Sequence, residues 1–186
     1  MSYILLIAGH TCSGKNTITD ILVDNGYVFW QKYKTREPRS SENPKFFITQ
    51  HEFRKKVSNV EIVIPVSYKG ELYGNDASFL KYLNEGKKII GHADVNTVIH
   101  TVDFFAKKVP VYPFLLYCDL EDAIRRLDNR EPKEMQSQNY KRRYGEIEEE
   151  KKIYLQNTHL FNQVYNTSIL SSNEIVEDIL EFVKFF

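Results

Sequence analysis

Residues 9 to 15 read Gly-His-Thr-Cys-Ser-Gly-Lys, and the uninterrupted apolar run Tyr3-Ile-Leu-Leu-Ile-Ala8 leads straight into them. A run of that length suits a central parallel strand covered on both faces. Beyond the loop, Ile18, Ile21 and Leu22 recur at helical spacing until Asn25-Gly26 stops the helix. Strand, glycine loop and helix in this order fit the G-x-x-x-x-G-K phosphate cradle. The glycines let backbone N–H groups curl round phosphates, and the helix start adds its positive end. Lys15 is expected to reach the β- and γ-phosphates of a bound nucleotide. The same order of elements opens an α/β fold.

The loop residues Gly9, Thr11, Cys12, Ser13, Gly14, Lys15, Asn16 and Thr17 are therefore candidates for holding ATP. The pattern wants a hydroxyl residue after the lysine, to sit on Mg²⁺, and here it is Asn16, followed by Thr17. An amide oxygen is a hard ligand that Mg²⁺ accepts directly or through water, so Asn16 is the candidate metal residue and Mg²⁺ with ATP the expected cofactor pair.

The rest of the chain reads as further strands and helices. Tyr27 to Trp30, Lys88 to Ala93, Val111 to Cys118 and Val164 to Tyr165 have strand character. Asp76 to Asn84, Thr97 to Lys107, Glu121 to Arg130, Tyr140 to Tyr154 and Glu174 to Phe185 have helical character. Residues 31 to 75 stand apart. They are rich in basic, polar and aromatic residues, with strand-like pieces at Phe46 to Thr49 and Glu61 to Val66 around a helical turn at His51 to Val57.

Charge and length narrow the function classes. The 186 residues hold 25 Lys plus Arg against 25 Asp plus Glu, a balance that argues against a general nucleic-acid binder. Length allows one α/β domain with a real core. Cys12 and Cys118 make neither a disulfide framework nor a zinc set, and the five histidines show no metal spacing. The start lacks a signal-peptide pattern and no apolar run approaches a membrane span. A cytoplasmic protein without membrane or nucleic-acid partners is expected, as a monomer or homodimer.

Several further stretches fall in a recognisable order. Thr35-Arg36-Glu37-Pro38-Arg39-Ser40-Ser41-Glu42 is followed by Phe47 with Glu52-Phe53, then by Tyr68-Lys69-Gly70-Glu71-Leu72-Tyr73-Gly74. Arg126-Leu127-Asp128-Asn129-Arg130 comes next, then Arg142 or Arg143 on a helix, then Val164-Tyr165-Asn166. Taken with the loop, this set resembles the guanylate kinase family across nearly the whole chain. The resemblance implies a P-loop kinase three-layer α/β sandwich with a central parallel sheet, a small acceptor-binding α/β insertion and a helical lid. The corresponding division is a core of 1–30, 76–128 and 157–186, an insertion of 31–75 and a lid region of 129–156. By the resemblance, Arg36, Arg39 and Tyr73 hold the acceptor's phosphate. Arg130 and Arg142 stabilise the transferring phosphoryl group with Lys15 and Arg39, and Arg126 and Asn166 lie near the adenine. Phosphoryl transfer is mostly positioning plus charge stabilisation, so a set of Lys, Arg and Mg²⁺ suits it.

The base-reading positions depart from the family. Ile64 falls where a carboxylate would read guanine, His92 where an Asp would be, with Asp94 two residues on, and Lys32 where a Ser would be. Lys45 or Phe46 replaces a phosphate-holding Tyr. Lys32, Lys45 and Asp94 join the candidate acceptor residues. The expected reaction is transfer of the ATP γ-phosphoryl group to a nucleoside monophosphate, GMP or dGMP first. A second option is another phosphorylated acceptor such as ribose 1,5-bisphosphate. Ser41-Glu42-Asn43, the Gly70-x-Leu72-Tyr73-Gly74 stretch and the non-hydroxyl residue 16 resemble the kinases of that compound. A third is a non-catalytic phosphopeptide-binding module.

Overall fold

A computed structural model describes residues 2–38, 42–130 and 138–185, with the side chains of 130, 138 and 139 outside the description. Its centre is a five-stranded parallel sheet of β1 (Ile4–Gly9), β2 (Val28–Phe29), β6 (Ile89–Ala93), β7 (Val111–Tyr117) and β8 (Gln163–Asn166), in the order β2-β6-β1-β7-β8. All six residues of β1 are buried. Successive side chains of a strand point to opposite faces, which sorts the core. Ile4, Leu6 and Ala8 join Val98 and Phe105 of α4 (Val95–Phe105) on one side, together with Trp30 and Phe79. Leu5 and Ile7 join Ile18 and Leu22 of α1 (Lys15–Asp24) and Ile175, Val176 and Ile179 of α7 (Ser172–Phe182) on the other. Helices on both faces explain why β1 is apolar without alternation.

A second, antiparallel sheet has the order β3-β5-β4, from β3 (Lys32–Lys34), β4 (Ile62–Tyr68) and β5 (Glu71–Asp76). The helix α2 (Gln50–Ser58) starts with a capping box between Thr49 and Glu52 and buries Phe53. The register between β4 and β5 shifts between Val63 and Val66, and Ile64 takes φ 53° there. A bulge re-aims a side chain, and Ile64 lies 6% exposed in the apolar cluster that holds Trp30 and Phe79.

Element boundaries differ from the sequence expectations for local reasons. The helix expected from Asp76 begins later, as α3 (Phe79–Asn84), because Asp76 completes β5 and its carboxylate takes the Ser78 N–H at 2.8 Å. The helix expected from Thr97 begins earlier because Asp94 caps α4 through the Thr97 N–H at 2.7 Å. Phe46 to Thr49 forms no strand. Pro44–Phe46 is a 3₁₀ turn, and Phe47 makes one bridge to Lys34. The last helices toward the C-terminus before α7 are α5 (Leu120–Arg130) and α6 (Gln138–Gln156), joined by a cluster of Cys118, Ala123, Leu127 and Ile147. Among the described residues no helix is long and apolar enough to cross a membrane.

Candidate active site

The phosphate loop leaves the sheet at the carboxyl end of β1. Gly9 has φ 150°, and a Cβ there would stand 2.2 Å from the Leu116 carbonyl oxygen and 2.5 Å from Ser13 Oγ, so no side chain fits. Gly14, at φ 94°, makes the left-handed step into α1. That helix starts without a side-chain cap, whereas α2, α4 and α7 are capped by Thr49, Asp94 and Ser171. Its first N–H groups and positive dipole end are thus left for an anion. Lys15 Nζ folds back over the loop and donates to the Gly9 and His10 carbonyls, each at 2.7 Å. Gly9, Thr11, Cys12, Ser13, Gly14, Lys15, Asn16 and Thr17 all border one large cleft of about 1580 Å³.

Two arginines brace the loop. Arg126 on α5 donates to Cys12 O at 3.2 Å, to Thr167 Oγ1 at 2.8 Å and to Thr167 O at 2.7 Å. Arg143 on α6 is 2% exposed and approaches Cys12 Sγ at 3.7 Å. Both arginines border the cleft, as does Glu150. Glu150, two turns along α6 from Arg143, accepts from the Thr11 N–H at 2.7 Å and from the Tyr68 hydroxyl at 3.2 Å.

The opposite wall comes from the antiparallel sheet. Lys32 and Lys34 alternate along β3 and, with Arg36, face the cleft. Arg36 grips Glu42 with both terminal nitrogens, at 2.8 and 2.6 Å, lies 5.1 Å over the Phe47 ring, and also hydrogen bonds with Tyr73. Such a fork is the geometry that takes two oxygens of one phosphate. Burial pulls the Lys32 ammonium down to about 8, against the opposing pull of Asp94. Asp94, Tyr73 and His92 border the same cleft. Asn16 is exposed at the uncapped start of α1, with Asp20 one turn on and both lining the cleft. An amide oxygen in that open position fits Mg²⁺, which keeps most of its waters and phosphate ligands and needs few from protein.

Two histidines are held neutral. His10 Nε2 accepts from the Cys118 N–H at 3.1 Å, so Nδ1 carries the proton and donates to Thr11 O at 2.7 Å. Burial pushes its pKa down to about 4. His92 Nε2 meets Thr19 Oγ1 at 2.8 Å, and its ring packs edge-on to Phe29. Burial, helped by Lys15, Lys32 and Lys34, pushes His92 down to about 3. Both folded-state values lie below the unfolded one, so this stability is present above the unfolded value and is lost as pH falls from there toward the folded ones. Each histidine contributes a slope of up to about 1.4 kcal/mol per pH unit in that window. Urea unfolding followed from pH 7 to pH 4.5 should show the steep loss, and His92→Asn should flatten it. A stability unchanged over that range in the parent chain would refute the assignment.

No family model matches the chain. The guanylate kinase of Lactobacillus acidophilus is 31% identical over 137 residues, 68% of this chain and 65% of that protein. The guanylate kinase of Thermotoga maritima is 32% identical over 129 residues, 65% of this chain and 62% of that protein. These matches span a little under two thirds of the relatives' length. The crystal structure of guanylate kinase from Anaplasma phagocytophilum superposes with a TM-score of 0.70 at 17% identity, covering 98% of this chain and 85% of that one. The chain is similar in sequence to guanylate kinases over about two thirds of its length and shares their fold. Deoxyadenosine kinase from M. mycoides shares the fold at a TM-score of 0.51 and 16% identity, over 98% of this chain and all of that one.

The chain brings most of the sequence-chosen residues to one cleft, with differences that have local causes. Arg142 is not brought in. It points outward, half exposed, toward Glu146 at 3.6 Å, and the helical turn gives the inward place to Arg143. Lys45 is exposed on the 3₁₀ turn, with its ammonium 5.6 Å over the Phe46 ring, and it is Phe46 and Phe47 that border the cleft. Ile64, which by the resemblance falls at a base-reading position, is in the core. Asn166 turns its side chain to the Ser168 N–H at 2.9 Å, and the neighbouring Thr167 lines the cleft instead. Arg39 and the Arg130 side chain lie outside the described residues. Sequence reasoning gave no role to Glu42, Tyr68 or Glu150. Glu42 closes the Thr35-to-Glu42 stretch and was legible there, whereas Glu150 sits in a run of acidic residues that reads as a solvated face.

Proposed function

We propose that this chain is an ATP-dependent phosphotransferase that passes the γ-phosphoryl group to a nucleoside monophosphate, with GMP or dGMP the first candidates. The observation that carries the reading is the uncapped start of α1, with Lys15 folded over its loop, in a cleft it shares with Arg36, Tyr73, Arg126 and Arg143. In this reading the loop N–H groups and Lys15 hold the ATP phosphates, and Arg143 faces the transferring group. Arg126 braces the loop and borders the adenine. Arg36, with Tyr73 and with Arg39 by the resemblance, holds the acceptor phosphate. Arg130 by the resemblance joins Arg143. Asn16 would hold Mg²⁺, which supplies charge neutralisation on the phosphates when bound. Helix α6 covers the loop and keeps water from the γ-phosphate. ATP, Mg²⁺ and the acceptor are then the partners, and the cytoplasm the place of action.

A second acceptor class has its own support. Lys32 and a neutral His92 line the acceptor side, while Ile64 is turned into the core. Ammonium donors suit an acceptor that carries a second anion, such as ribose 1,5-bisphosphate. A coupled ADP-release assay with Mg·ATP tests both, against GMP, dGMP, AMP, CMP, UMP, dTMP and ribose 1,5-bisphosphate. Turnover on GMP or dGMP supports the first reading and turnover on the bisphosphate the second. No turnover on any acceptor by a chain that binds ATP would overturn both in favour of a binding module.

Arg36→Ala should raise the acceptor KM about tenfold to a hundredfold, in line with loss of a charge-assisted phosphate grip. The KM for ATP should stay unchanged in the same steady-state experiment. An unchanged acceptor KM would remove the antiparallel sheet from acceptor binding.

A further inference from the structure

Glu150 joins three parts of the molecule. Its carboxylate rides on α6, takes the N–H of Thr11 in the loop at 2.7 Å, and takes the hydroxyl of Tyr68 at the end of β4 at 3.2 Å. Beside it, Lys69 on the β4–β5 turn pairs with Glu146 of α6 at 2.9 Å. The loop side of the joint is under backbone constraint: Cys12, next to Thr11, has φ 63° without being glycine. That conformation is held from behind by Arg126 on the Cys12 carbonyl at 3.2 Å and in front by Glu150 on the preceding N–H.

We propose that Glu150 is a positioning residue that couples occupancy of the phosphate loop to the β4–β5 rim of the acceptor sheet, through the Thr11 N–H on one side and the Tyr68 hydroxyl on the other. The inference rests on the reading of the loop as a nucleotide site. A phosphate seated on the loop fixes its backbone, the Thr11 N–H holds the carboxylate in one place, and the carboxylate in turn fixes Tyr68. The wall that carries Tyr73 and the fork of Arg36 is the one this tightens, since β4 and β5 are paired from Val66↔Tyr73 to Tyr68↔Glu71. Energy passes between two sites only through an element both sites bias. Here that element is one carboxylate with a donor from each side.

Hydrogen exchange with the full chain and saturating ADP tests it. Amides 10–16 should slow on ADP addition, and amides 66–73 should slow with them by about threefold or more. In Tyr68→Phe, amides 10–16 should still slow while 66–73 exchange as they do without ADP. Glu150→Gln, whose amide oxygen still accepts from Thr11 and whose amino group can donate to Tyr68, should keep most of the effect, and Glu150→Ala should lose it. Protection confined to 10–16 in the parent chain, or equal protection of 66–73 in Tyr68→Phe, would overturn the coupling and leave the nucleotide reading standing. A parent chain in which ADP slows neither segment would overturn the nucleotide reading and the coupling together.

Discussion

Lys15→Ala is expected to lower kcat/KM for ATP by about a hundredfold to a thousandfold, the usual cost of removing one charge-stabilising donor from a transfer site. The residue is the first loop side chain of α1, and its ammonium already bridges the Gly9 and His10 carbonyls at 2.7 Å. A phosphate at the uncapped helix start would meet this ammonium and the helix N–H groups at once. Truncation removes the charge and leaves two loop carbonyls without that donor, so nucleotide affinity should fall together with turnover. Calorimetric titration with ADP, beside the assay on whichever acceptor turns over, reads both. Turnover within tenfold of the parent would take Lys15 out of the transfer chemistry. Lys15→Arg should recover little, because a planar fork does not replace a point charge on a compact loop.

The sharper test separates two neighbours. Arg143→Ala should cost about a thousandfold in kcat, the low end of what an arginine aimed at a transferring phosphoryl group supplies. Arg142→Ala should stay within about threefold of the parent, since an i,i+4 pair whose arginine faces solvent, such as Arg142–Glu146, contributes only tenths of a kcal/mol. The contrast rests on exposure: Arg143 is 2% exposed and the Arg142 side chain 51%. Arg143→Lys should recover only part of the rate. Circular dichroism of each variant guards against loss of α6, whose inner face Arg143 shares with Ile147 and Tyr154. Equal losses from both substitutions would mean that α6 acts through its fold and not through one guanidinium.

What could be read from the chain beforehand follows from how local each signal is. The loop and β1 were legible because a six-residue buried strand, two special glycines and a lysine stand in sequence. The places of Arg36 and Tyr73 at the cleft were legible through ordered short stretches. The inward place of Arg143 was also written in the sequence, where the choice between Arg142 and Arg143 was left open. Ile147 and Tyr154, both buried, lie four and eleven residues past Arg143, so the helical period puts 143 inside and 142 outside. The burial of Ile64 was not legible because a bulge shifts the register by a step that spacing alone does not reveal. The capping of α4 by Asp94 was hidden behind its expected role at the acceptor. Glu150 was beyond reach for a different reason: its partners Thr11 and Tyr68 are 139 and 82 residues away.

The position of β1 at the centre of the sheet carries a cost at the ribosome. Ile4 pairs with Ile89 on one side and with Val111 on the other, so this apolar strand is made well before either strand that flanks it. Non-local pairing of this kind closes long loops before it returns any energy, and it slows folding. During synthesis at about 5–20 residues per second, some seconds pass between the emergence of β1 and that of β7. For that interval a bare apolar strand is open to other chains. The growing chain is thus a natural client for holding factors, and extra holding factors should help its recovery more than any change in the finished cleft.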